Sequence, residues 1–222
     1  MNYKKTLTFK AFKKSKYFSL KYINYFSIYD SLLNKFRNKK IIFVEIGVFS
    51  GGSLFMWRSF FGKKAKIIGI DLNPNAKKLE KHGFKIYIGN QSSKKFWDNF
   101  YKKEGKIDLI LDDGGHKNLQ QISTVHHSLP FIKNEGKIII EDSSTSYLKK
   151  EFKNPSKYSF INYSKKIIDI IHRRSPLLKE NLNIYSKRIF QVEFFESIVV
   201  FSISSSKCFK NKEITNKAQN EW

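Results

Sequence analysis

Cysteine is all but absent from this chain. One thiol, Cys208, in 222 residues excludes an intramolecular disulfide and any cysteine-rich metal site. It fits a reducing compartment and reads as a buried or chemically quiet thiol. No run approaches the roughly 18 apolar residues of a membrane span. The opening stretch MNYKKTLTFKAFKKSKYFSL is basic but lacks the apolar core of a secretory signal. These absences lead us to expect a cytoplasmic chain. There is no internal repeat, no G-x-G-x-x-G and no G-x-x-x-x-G-K-[ST], so neither dinucleotide nor triphosphate binding is supported. Acidic residues are few, 19 against 42 basic ones, giving a net charge of +23. Arginine, alanine and proline are scarce, whereas Lys, Asn, Ile, Phe and Tyr abound. That is the bias of A/T-rich codons. The lysines are scattered rather than gathered in a stripe, so a nucleic-acid partner is not expected on charge alone.

What is present is a folded composition, 41% hydrophobic and 16% aromatic, at a length suited to one α/β domain. Strand-like runs at 41–46, 66–70, 84–88, 107–111 and 137–140 alternate with helix-like stretches near 52–61, 75–82, 93–103 and 117–129. Continuous β-branched runs joined by helices predict a doubly wound, mostly parallel sheet. A further helix is predicted over 157–172 and a loop over 173–187. Residues 188–204 read as an antiparallel hairpin turning near Glu196 and Ser197. The predicted organisation is an N-terminal helical extension (1–40), the main domain (41–206) and a polar tail (207–222). In the extension, Tyr25, Ile28, Leu32 and Leu33 share one helix face. The plainer reading is a helix covering the sheet; the alternative is a lid or subunit contact.

Ligands of open α/β sheets collect beyond the carboxyl ends of the strands. There the first strand ends in EIGVFSGGS, presenting Glu45, Gly47, Ser50, Gly51 and Ser53, whose glycines permit a tight turn and close approach. Asp71 lies 24 residues past Gly47, where a carboxylate can meet ribose hydroxyls. Asn90 and Gln91 offer amides suited to an adenine edge. Together these predict a nucleoside without a polyphosphate, a description S-adenosylmethionine meets. The fourth and fifth strands end in Asp112–Asp113 and Glu141–Asp142. Four carboxylates brought together repel one another unless a cation joins them. Oxygen donors favour Mg²⁺ or another hard divalent cation. The simpler alternative is that these residues only shape turns. His116, three residues past Asp113, is placed to accept a proton from a substrate hydroxyl. His126 and His127 sit within a helix and read as structural.

The series EIGVFSGGSLFMW, GIDLNP, IGNQSS, IDLILDDGGH and IIIEDSSTSY, in that order and spacing, resembles the class I methyltransferase domain (Rossmann-like) of the mycinamicin-type macrolide-sugar O-methyltransferases and the related cephalosporin-hydroxylase-like proteins. The resemblance runs over about 20–150. It implies a metal-dependent O-methyltransferase with Asp113, Glu141 and Asp142 as metal ligands and His116 as base. It also implies Glu45, Gly47, Asp71, Gln91 and Asp112 in the cofactor pocket. Asn90 departs from the GDQS pattern common in relatives. Substrate-binding segments of the family fall in the N-terminal region and the loop after the fifth strand, which holds Tyr147. The expected acceptor is a sugar, nucleotide-sugar or glycoside, with surface polysaccharide biosynthesis as one setting, and a homo-oligomer is expected because the family includes oligomers. Three alternatives stay open. A nucleic-acid methyltransferase is one, although DDGG replaces the usual [DNS]-P-P-[YFW] loop. A non-catalytic cofactor-binding subunit is another. A hydroxylase is the third, but it lacks recognisable iron ligands.

Overall fold

The computed structural model describes residues 2–148, 158–178 and 181–216. The start predicted for the helix at 157 and the end of the predicted polar tail (217–222) lie outside the described residues.

Seven strands form one sheet: β1 (Ile42–Ile46), β2 (Lys66–Asp71), β3 (Lys85–Ile88), β4 (Ile107–Asp112), β5 (Ile132–Ile140), β6 (Ile189–Phe195) and β7 (Ile198–Ile203). Their order is β3-β2-β1-β4-β5-β7-β6, with β1 to β5 parallel and β7 antiparallel to both neighbours. Every strand falls on a run where the sequence places one. β1 lies inside the sheet, between β2 and β4, because IFVEI is largely apolar on both faces. Phe43 points to one layer of the core and Val44 and Ile46 to the other, as the two-residue period of a strand requires.

One face is covered by α1 (Leu7–Lys13), α2 (Ile23–Leu33) and α3 (Gly52–Phe61), which pack Tyr25, Tyr29, Leu33, Trp57 and Phe61 against the strands. Tyr25, Ile28, Leu32 and Leu33 are all buried, as their shared helix face requires. The other face is covered by α4 (Lys94–Glu104), α5 (Asn118–Ser128) and α6 (Phe160–His172). In α4 the buried Trp97, Phe100 and Tyr101 follow the i, i+3, i+4 stripe of an amphipathic helix. Cys208 is buried. Among the described residues no helix is long and apolar enough to cross a membrane.

Two elements differ from expectation. The stretch predicted as a helix near 75–82 is a run of 3₁₀ turns, Pro74–His82. Only Ala76 and Leu79 are buried there, a spacing of three that suits 3₁₀ geometry. The predicted loop 173–187 contains most of a short helix, α7 (Ile184–Arg188), started by Asn183, whose side chain accepts from the Ser186 N–H at 3.0 Å. A single capped turn carries no apolar periodicity, so the pattern could not reveal it.

Candidate active site

The carboxyl ends of β1 to β5 surround a cavity of about 520 Å³. Its floor is the turn after β1. Gly47 takes φ +82°, and a Cβ there would stand 2.1 Å from the carbonyl oxygen of Asp113. Glycine is thus required both by the left-handed backbone and by the close approach of the β4 end. Asp71, at the end of β2, accepts from the N–H groups of Val48 (2.9 Å) and Phe49 (3.3 Å) and from Asn73 N–H (2.8 Å). It orders the turn while its carboxylate still lines the cavity.

Behind this floor lie Glu45 and Asp112, both buried and both held by protein donors. Glu45 accepts from Ser53 Oγ (2.8 Å) and Trp57 Nε1 (3.0 Å). Burial pushes its carboxyl up to about 7, against the opposing pull of the Lys21 ammonium and its own donors. Asp112 accepts from Thr124 Oγ1 (2.6 Å), Gln91 Nε2 (2.7 Å) and Gly114 N–H (3.1 Å), and burial raises its pKa despite these donors.

The end walls carry the acidic groups. β4 and β5 are neighbours, and Glu141 N–H donates to Asp112 O at 2.9 Å, so the two acidic tips lie side by side. Glu141 is fully enclosed. Tyr29 OH donates to its Oε1 at 2.5 Å and Lys21 Nζ to its Oε2 at 2.8 Å. Lys21 also lies 2.6 Å from Asp113 Oδ2, so one ammonium bridges two carboxylates. Burial opposes the charge on Lys21, but Asp113 and Glu141 outweigh it and hold the ammonium protonated well above its ordinary range. Asp142 accepts from Tyr25 OH at 2.6 Å. Burial first, and the carboxylates second, push both phenols far above their usual range, so both act as donors. His116 Nε2 lies 3.5 Å from Asp142 Oδ2. Asp113, His116 and Asp142 each offer a ligand atom within 4.8 Å of the others.

Phe49, His116 and Asp142 adopt φ of 46°, 54° and 52°, and all three line the cavity. Non-glycine residues held in this region are strained and persist where the surrounding structure over-determines them. Thr145 Oγ1 is part of that support, donating to His116 O at 2.9 Å and to Asp142 O at 2.8 Å.

Of the residues singled out from sequence, Gly47, Ser53, Asp71, Gln91, Asp113, His116, Glu141 and Asp142 line the cavity. Glu45 and Asp112 stand behind its wall. Ser50 is exposed and borders a neighbouring hollow instead. Gly51 starts α3 at φ +87°, packed on Leu79. Asn90 is exposed, with its Oδ1 turned onto Ser92 N–H at 2.8 Å. Tyr147 is 62% exposed. His126 pairs with Tyr185 OH at 2.9 Å, on the side of the sheet packed by α5 and α7.

Sequence reasoning missed Lys21, Tyr25 and Tyr29 as members of the site. Tyr25 was legible only as a core residue, because a buried tyrosine on an apolar helix face carries no mark of a carboxylate partner 117 positions away.

Residues 44–143 match the family model described as a methyltransferase domain. Mycinamicin VI 2''-O-methyltransferase of Micromonospora griseorubida is 30% identical over 143 residues, 60% of this chain and 35% of that protein. Demethylmacrocin O-methyltransferase of Streptomyces fradiae is 29% identical over 126 residues, 54% of this chain and 31% of that one. The chain thus matches these relatives over about a third of their length. The structure of the MycE methyltransferase of the mycinamycin pathway, in complex with Mg, S-adenosylhomocysteine (SAH) and mycinamycin VI, superposes with a TM-score of 0.77 at 22% identity, covering 92% of this chain and 54% of that one. The fold is that of the class I methyltransferases, with the sheet closed by the antiparallel β6–β7 pair.

Proposed function

We propose that this chain, with its class I methyltransferase fold, transfers a methyl group from S-adenosylmethionine to a hydroxyl of a sugar, on a glycoside or nucleotide-sugar, with a divalent cation such as Mg²⁺ at Asp113 and Asp142. The observation that carries the reading is the convergence of Asp113, Glu141 and Asp142 on one cavity with a single ammonium among them. Burial pushes the Glu141 carboxyl up to about 8, but Asp113 and Asp142 still outnumber the one ammonium, and a negative site suits a sulfonium and a hard cation. The donor set fits such an ion, because Asp113 and Asp142 present carboxylate oxygens within 4.8 Å of each other. Mycinamicin VI and demethylmacrocin methyltransferases, named for transfer to oxygen, support the reaction class.

The roles divide by chemistry. Gly47 and the turn amides ordered by Asp71 form the floor on which an adenosyl group can rest, and Asp71 keeps acceptor capacity for ribose hydroxyls. Asp113 and Asp142 supply the oxygen donors a hard ion prefers, leaving His116 for the proton. When bound, the cation orients an alcohol and lowers its pKa. As the C–O bond forms and the carbon–sulfur bond breaks, His116 Nε2 takes the hydroxyl proton. Tyr25 fixes the Asp142 carboxylate in place. Surface polysaccharide is one acceptor setting within this reading.

The test is incubation with radiolabelled methyl donor and separate pools of nucleotide-sugars, glycosides, capsule fragments and RNA, with Mg²⁺ or with chelator. Label should enter a sugar pool only with Mg²⁺. Asp142→Asn should lose about 10–100-fold in metal affinity or activity. Undiminished transfer in chelator removes the metal from the mechanism, and label in RNA removes the sugar acceptor.

A further inference from the structure

Residues 14–22 have no regular structure and run as a strap along one side of the cavity. The strap is anchored at its N-terminal half, where the Tyr17 ring packs edge-on against Phe55 and His82. Ser15 Oγ donates to Gly52 O at 2.6 Å, and Tyr17 OH pairs with His82 Nε2 at 2.9 Å. The strap's backbone lies so close on α3 that a Cβ at Gly52 would stand 2.3 Å from Tyr17 O. Its large apolar side chains Phe18 and Leu20 are 64% and 69% exposed. Beyond Tyr17, little apolar burial would be lost if residues 18–20 moved, which is the mark of a segment that opens locally.

The exception is Lys21. Its side chain is 1% exposed, and its ammonium bridges Asp113 and Glu141. A charge this enclosed is held only by its partners, and those partners include Asp113, the residue assigned above to the divalent cation. Two cations on one carboxylate a few ångströms apart repel by several kcal/mol even at the effective dielectric of a protein surface. They cannot both keep contact with Asp113 without strong cost.

We propose that Lys21 is a tethered counter-ion that competes with the divalent cation for the Asp113–Glu141 pair. The inference rests on the reading of these carboxylates as a cation site. In the ion-free protein the ammonium neutralises the pair and draws the strap against the cavity. Ion entry displaces the ammonium, frees Glu141 as a further oxygen donor and lets the strap lift from the mouth. Loading of the ion and opening of the cavity are then one event.

Mn²⁺ binding, read by electron paramagnetic resonance on the full chain, tests this without any turnover. Lys21→Met should bind Mn²⁺ at least about tenfold more tightly than the parent, and Lys21→Arg, which keeps the charge, should not. Equal affinity in Lys21→Met and the parent overturns the competition while leaving the cation site standing. No saturable Mn²⁺ binding by any of the three chains overturns both. Because Lys21→Met leaves the enclosed Glu141 and the partly buried Asp113 without their ammonium, the unmodified chain supplies a second readout. Tryptic cleavage after Lys21 should accelerate severalfold on adding Mn²⁺, and an unchanged or slower rate overturns the proposal.

Discussion

Gln91 and Asp112 tie together the ends of two strands that two others separate in the sheet. Gln91 follows β3, Asp112 ends β4, and the amide donates to the carboxylate at 2.7 Å. The other side of the same amide accepts from Gly115 N–H at 3.4 Å. A side chain expected to read an adenine edge is thus also a brace within the wall of the cavity.

Gln91→Leu therefore removes a donor from a buried carboxylate without changing side-chain volume much. We expect a loss of about 1–3 kcal/mol in stability by urea denaturation, together with weaker SAH binding by calorimetry. Unchanged stability would show that Thr124 and Gly114 satisfy Asp112 by themselves.

Gly47→Ala and Gly83→Ala separate two costs that share a backbone conformation. Both residues have φ near +82°, but a Cβ at Gly83 meets nothing within 4 Å, whereas one at Gly47 stands 2.1 Å from Asp113 O. Gly83→Ala should cost about 1 kcal/mol, from backbone strain alone. Gly47→Ala should cost clearly more and should abolish SAH binding, because the β1 turn and the end of β4 must separate. Equal melting temperatures for the two variants would contradict the close approach.

Glu104, remote from the site, sets a pH dependence of stability. Burial favours its neutral form, but Lys66, Lys85 and Tyr87 outweigh this and hold its carboxyl down at about 2. A folded pKa below the unfolded value near 4.5 means the native state binds fewer protons there. The stabilisation is complete above that value and is lost as pH falls toward about 2. The lysine partners are 44% and 46% exposed, so solvent screening reduces the contribution to about 1–2 kcal/mol. Glu104→Gln should be less stable by that amount at pH 7. The difference from the parent should shrink steadily below pH 4.5 in acid-unfolding curves.

The sheet was legible because its signals are local. Runs such as IFVEI and IDLILD are apolar on both faces, and each ends in residues that only a strand tip would display. The same locality made Gly47, Asp71, Asp113, His116 and Asp142 visible, since each sits within a few residues of a strand end. Asn90 and Ser50 share that sequence position yet turn away from the cavity, because a local side chain-to-backbone bond captures one and exposure the other. Proximity to a strand end does not fix where a side chain points. Lys21 was illegible for the opposite reason. It is one lysine among dozens, and only the packing of α1 and α2 on α3 carries it to Glu141, 120 positions away.

The β6–β7 hairpin looks like an edge ornament, two strands added beyond the parallel core. Its turn residue Ser197, however, accepts from the N–H of Ser143, next to the left-handed Asp142. The hairpin thus buttresses a carboxylate some fifty residues earlier in the chain. The acidic centre is therefore braced from two distant parts of the chain, by Tyr25 of α2 on Asp142 and by the hairpin turn on its neighbour Ser143.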